Sequence, residues 1–208
     1  FIIALDYLLE MAPDSPQASR WKSLREGIER NVRAHLWDVK RQKFIPHIYP
    51  EKSPIPEGFD ELAIHYHGGT AIAIEAGLLS KDEIRTVNAQ MLENVRLSGM
   101  PSIGLTLYPV YPDGFFHGGM SKAYLYQNGG DWTWFGGRMI QQLVVNGMVE
   151  EAYAEIHPMI ERVIQNDGFY EWYGKGGVPS GSGNFKGSAG VLSKAIELLR
   201  DWAEKNKS

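Results

Sequence analysis

Apolar residues recur at helical spacing along most of the chain. They first mark a helix from Phe1 to Met11 that stops at Pro13. A second runs from about Ser15 to Trp37, with Trp21, Leu24, Ile28, Val32 and Leu36 on one face. Further segments cover about Leu62 to Ala76, Ser80 to Leu97, Thr133 to Asn146, Val149 to Gln165 and Ser188 to Lys205. Ser80 and Glu83 have the spacing of a capping box, in which each side chain satisfies the other residue's backbone N–H. Short turns at 10–14, 75–80 and 145–149 recur about every 65–70 residues, a spacing that suggests paired helices. Long loops rich in Gly, Pro and aromatics fill 38–60, 98–131 and 166–187. Loops beyond about 12–15 residues in a compact domain usually carry function. Short turns on one side and long loops on the other predict an all-α toroid of helical hairpins. About seven helices are present, and the long loops share one face.

Composition narrows the chemistry. The 208 residues are 43% hydrophobic and 22% charged, enough to bury a sizeable core as one domain, 1–208. The net charge of -4, with no Lys/Arg cluster, speaks against a nucleic-acid partner. No apolar run approaches the roughly 18–20 residues of a membrane span. Without cysteine the chain has no thiol nucleophile and no zinc-thiolate site. The start on Phe1-Ile2-Ile3-Ala4-Leu5, with no Met and no basic leader, reads as a fragment. On that reading Phe1, Ile2 and Leu5 would lie uncovered at an open edge.

Two segments point to sugar. In Phe169-Tyr170-Glu171-Trp172-Tyr173-Gly174 a carboxylate sits among aromatics, before a glycine-rich loop and Asn184-Phe185. Some forty residues earlier stands Tyr126-Gln127-Asn128-Gly129-Gly130-Asp131-Trp132-Thr133-Trp134. Indole and phenol faces stack on the apolar faces of sugar rings, amides and carboxylates bind the hydroxyls, and a carboxylate so placed can activate a water. Each residue also has a plainer role. Glu171 could be an exposed loop carboxylate, Asp131 a helix cap, and Asn128-Gly129-Gly130 a tight turn. Trp132 and Trp134 point to different faces of a helix start, so one is core and the other a sugar platform.

His65 and His67, two residues apart, could hold a metal on a strand but splay apart on a helix, and no third ligand is evident. They and His117 fit a structural or sugar-contacting role, with no metal and no cofactor implied. The run Lys175 to Gly183 lacks the Gly-Lys-Ser/Thr ending of a phosphate loop.

The order Tyr126-Gln127-Asn128-Gly129-Gly130-Asp131-Trp132, a helical hairpin, Glu171-Trp172-Tyr173, then Gly183-Asn184-Phe185 with Ser188-Ala189 resembles the six-hairpin (α/α)6 glycosidases. The glucosidase and invertase-like clans are the most similar. The match covers residues 120–200 well; the first hundred match only as generic hairpins. The resemblance implies a glycoside hydrolase and the later part of its catalytic domain. Glu171 falls on the general base of an inverting, exo-acting enzyme for an α-glucoside or related sugar. Tyr126, Gln127, Asn128, Asp131, Trp132, Trp134, Trp172, Tyr173 and Asn184 fall on sugar-binding segments. The clan's general acid is an Asp on an earlier hairpin, which by helix count precedes Phe1, with Asp60 as the internal candidate. A partner follows from this: the preceding part of the same domain. Two other readings stand beside it. One is a sugar isomerase or epimerase using His65, His67 and His117; the other is a non-catalytic carbohydrate-binding or assembly module.

Overall fold

The computed structural model describes residues 1–207 and contains seven α-helices and three short antiparallel strand pairs. The helices are α1 (Ile2–Met11), α2 (Ala18–Leu36), α3 (His67–Glu75), α4 (Lys81–Ser98), α5 (Thr133–Val145), α6 (Val149–Gln165) and α7 (Lys186–Lys205). The strands are β1 (Trp37–Asp38) with β2 (Lys43–Phe44), β3 (His65–Tyr66) with β4 (Leu107–Tyr108), and β5 (Trp172–Tyr173) with β6 (Pro179–Ser180). None of the described helices is long and apolar enough to cross a membrane.

The helices form two rows of an arc. In one row α5 packs between α3 and α7. The approach is close because α5 carries glycines on its flanks: a Cβ at Gly137 would stand 2.8 Å from the Val191 side chain of α7. One at Gly136 would stand 2.2 Å from that of Met159 on α6. The other row is tied by polar contacts. Arg33 of α2 donates to Glu83 of α4 (2.6 Å), and Asn88 of α4 donates to Glu155 of α6 (2.7 Å). Between the rows lies one continuous core, which includes Ile84, Val87, Met91, Met139, Ile140, Leu143, Ile156, Met159 and Leu192. The Ser80 box forms as expected, with Glu83 N–H donating to Ser80 Oγ (3.3 Å) and Ser80 N–H to Glu83 Oε2 (2.8 Å).

Three expectations are corrected. First, α3 starts at His67, not near Leu62: residues 61–63 form a 3-10 turn, and β3 pairs with β4 before the His67 N–H bonds the Thr106 carbonyl (2.9 Å). A strand pairing across forty residues overrides the local helical pattern. Second, the apolar stripe of α2 is only half-buried: Ile28 and Val32 pack against the core, while Leu24 is 43% exposed. Third, Ile2 and Leu5 are buried, so of the three residues assigned to an open edge only Phe1 is bare. The apolar surface there is instead Phe1, Tyr7, Leu8, Met11 and Leu24.

Candidate functional site

The loops 98–131 and 166–187 are stitched together at Asp131. Its N–H donates to the Tyr173 carbonyl (2.9 Å), and the Tyr173 N–H donates back (2.7 Å). On the other side the Trp132 N–H bonds the Gly104 carbonyl (2.8 Å). The Asp131 carboxylate is wholly buried. It pairs with Arg162 Nη1 of α6 (2.8 Å) and accepts from Ser102 Oγ (2.7 Å to Oδ2). Arg162 also donates to Thr133 Oγ1 (2.7 Å), and its guanidinium lies 4.1 Å from the centre of the Tyr173 ring. Gly104 makes room for this: a Cβ there would lie 2.2 Å from Asp131 Oδ1. A buried charge needs such a partner set, because an unpaired one is expensive to desolvate.

This hub fixes the start of α5 and the chain before β5, and so positions the aromatics around Glu171. Tyr126 adopts a left-handed backbone (φ 53°), uncommon for a non-glycine residue, which turns its ring onto Trp132 (4.8 Å between centroids) and Trp172 (6.1 Å). Trp132 Nε1 donates to the Tyr126 carbonyl (3.3 Å), and Phe185 closes edge-on against Trp132 (6.1 Å). Tyr126 Oη donates to Glu171 Oε1 (3.3 Å), and the Ser182 N–H points at Oε2 (3.4 Å). Burial, then the charge and hydrogen bond of Glu171, push the Tyr126 phenol above its ordinary range. Among the described residues no Lys or Arg lies within 4.0 Å of the Glu171 carboxylate. Gly181 permits this placement: its φ of 72° suits glycine, and a Cβ would stand 2.4 Å from Glu171 Oε2.

The expected sugar contacts therefore divide. Tyr126 and Trp172 are half-buried beside Glu171, while Gln127 and Asn184 are exposed. Asn128, Asp131 and Tyr173 are scaffold rather than contact surface, each fully buried. Asn128 binds both backbone groups of Tyr111 (Tyr111 N–H to Oδ1, 2.9 Å; Nδ2 to the carbonyl, 3.1 Å), a turn-holding role. Asp131 does not cap α5, which has no side-chain cap. Trp132 is 5% exposed and forms the inner wall. One face of Trp134 is covered by the Arg138 guanidinium at 4.4 Å. The broad grooves of the chain, about 890 and 660 Å3, lie away from Glu171.

Glu61, next to the exposed Asp60, carries a cluster that the sequence did not signal. Its Oε1 accepts from Tyr111 Oη (2.6 Å), Tyr49 Oη (2.8 Å) and His47 Nδ1 (2.7 Å). Burial opposes the charge, but these three donors prevail and hold the carboxyl below its usual range. A carboxylate held ionised is a poor proton donor. Burial drives His65 down to about 4 and His67 to about 3, and His67 is packed against Asn94 (3.0 Å). Both imidazoles are held neutral, and of the two only His67 is enclosed.

The sequence matches no protein-family profile and no curated protein. Its fold does match a solved structure, the GH63 mannosylglycerate hydrolase from Thermus thermophilus in complex with Tris and D-glycerate. The TM-score is 0.61 at 16% identity, over 95% of this chain and 43% of the hydrolase chain. The chain thus spans less than half the length of that enzyme. At this identity the likeness establishes architecture: the chain is a seven-helix portion of the (α/α)6 toroid on which that glycoside hydrolase is built.

Proposed function

We propose that the chain supplies the general-base half of an inverting, exo-acting glycoside hydrolase for an α-glucoside or related sugar. The observation behind this reading is the Glu171 carboxylate, free of ion pairs and held by Tyr126 Oη against the wall of Tyr126, Trp132 and Trp172. In this reading a sugar ring lies on Trp172, with Gln127 and Asn184 at its hydroxyls. Glu171 takes a proton from a water whose oxygen bonds to the anomeric carbon. The glycosidic bond breaks, and the leaving oxygen takes its proton from a general acid. That acid belongs to the preceding part of the same catalytic domain, facing Glu171 across about 6.5–9.5 Å, the span an inverting pair needs for the water. Asp60 is the internal alternative.

A second reading is carbohydrate binding without turnover, for which the same aromatic wall of Tyr126, Trp132 and Trp172 would serve. The two separate cleanly. Proton NMR of an α-glucoside, incubated with protein comprising this chain and the preceding part, should show the β-anomer of the free sugar first. Release of the α-anomer would refute inversion. Saturable sugar binding with no release under any condition would favour the binding module.

A further inference from the structure

The β1–β2 hairpin, the turn at Ala63 and the outer face of α4 enclose an open groove of about 890 Å3, away from Glu171. At its base is Lys43, which is 3% exposed. Its Nζ donates to the Ile64 carbonyl, and among the described residues no carboxylate comes within 4.0 Å of it. A buried ammonium with a carbonyl but no counter-ion is an unfinished arrangement, since buried charges are ordinarily paired. Other cations line the same groove. Arg41 uses one guanidinium nitrogen on Asp38 (2.8 Å), and Arg85 uses one on Asp82 (2.8 Å). A guanidinium has five N–H donors, so both side chains retain donors for a further acceptor. Glu93 also lines the groove, but Arg96 occupies both of its oxygens (2.5 and 2.7 Å). Gln90 and Asn94 also line it, but their amide nitrogens are engaged by the Arg41 carbonyl (2.9 Å) and His67 Nε2 (3.0 Å); Ala63 and Ala89 form a small apolar wall.

We propose that this groove binds a small oxyanion, a carboxylate or phosphate group carried by an organic molecule, with Lys43 as its buried counter-charge and Arg41 and Arg85 at the rim. The electrostatics agree with this geometry. Lys43 is pushed down to about 8 by burial first and by Arg41 second, ahead of the weaker pull of Asp38 and Asp60. His65 is pushed down to about 4 by burial and then by Lys43. In both cases burial is the larger cause and a neighbouring cation the second, and a bound oxyanion would offset the second by supplying a counter-charge. The site is independent of the assignment of Glu171.

The test titrates the chain with inorganic phosphate and, separately, with acetate, following the Lys43 Cε–H signals by NMR and the heat of binding by calorimetry. The Lys43 midpoint should start near 8 and rise with saturating anion. Arg85→Ala, at an exposed position, should weaken binding about tenfold, the scale of one charge-assisted hydrogen bond. Lys43→Met should abolish it. If that variant fails to fold, Arg85→Ala and the wild-type midpoint decide alone. A response to phosphate only, or to acetate only, identifies the anion class and supports the site. No binding of either at about 20 mM, an unmoved Lys43 midpoint, or equal affinity in Arg85→Ala would overturn it.

Discussion

Glu155 joins α6 to α4 through a contact that titrates. It is 7% exposed, and its Oε1 accepts from Asn88 Nδ2, while its own Oε2 and Asn88 Oδ1 are buried with no partner. Two orphaned acceptors in one buried pair call for a proton, and burial raises the Glu155 carboxyl from 4.5 to about 7. A carboxyl raised in the folded state binds its proton more tightly there than in the unfolded chain. Stability is therefore undiminished below about pH 4.5, falls as pH rises, and is lowest above about pH 7. At about 1.4 kcal/mol per pH unit, the rise from 4.5 to about 7 sets a penalty of about 3 kcal/mol. Glu155→Gln removes the titration, and its amide can donate to Asn88 Oδ1. Urea unfolding followed by tryptophan fluorescence should find the variant about 3 kcal/mol more stable than wild type at pH 8 and about equal at pH 4.5. A stability difference that is the same at both pH values, or one that shrinks on going to pH 8, would refute the reasoning.

Other outcomes follow from the same geometry. Arg162→Ala leaves Asp131 buried and unpaired and should cost about 3–5 kcal/mol in urea unfolding. Gly181→Ala forces a side chain to within 2.4 Å of Glu171 Oε2 and into a left-handed backbone, so it should lose about 1–2 kcal/mol. It should also impair turnover more than sugar affinity, read as kcat against KM. Trp172→Ala should weaken binding of methyl α-D-glucoside by about fivefold or more in a fluorescence titration, since a lost aromatic face costs about 1 kcal/mol. Unchanged affinity would remove Trp172 from the sugar site.

The parts of this structure fixed by neighbours in sequence were readable from it. Helices α4 to α6 begin and end within a few residues of their apolar periodicity, because caps and periodic faces are local properties; the Ser80–Glu83 box is one. What depended on distant partners was not readable. The start of α3 is set by strand pairing with residues 107–108, and the half-burial of the α2 stripe by how far α1 and the core reach over Ile28 and Val32. The motif from Tyr126 to Trp134 marked the correct region but could not say which side chains face outward. Asp131 turns inward because Arg162, on another helix, neutralises it, and Asn128 because Tyr111 lies behind it. Glu61 shows the same limit: its three donors come from positions 47, 49 and 111.

Glu171→Gln, in protein comprising this chain with the preceding part of the domain, separates the base from every other role of the residue. The amide keeps the shape beside Tyr126 but cannot take a proton from water. Steady-state hydrolysis of an α-glucoside should fall by about 100-fold or more, on the scale of general-base catalysis, while sugar affinity stays within about twofold. Hydrolysis at the wild-type rate would contradict the assignment of Glu171 as the base.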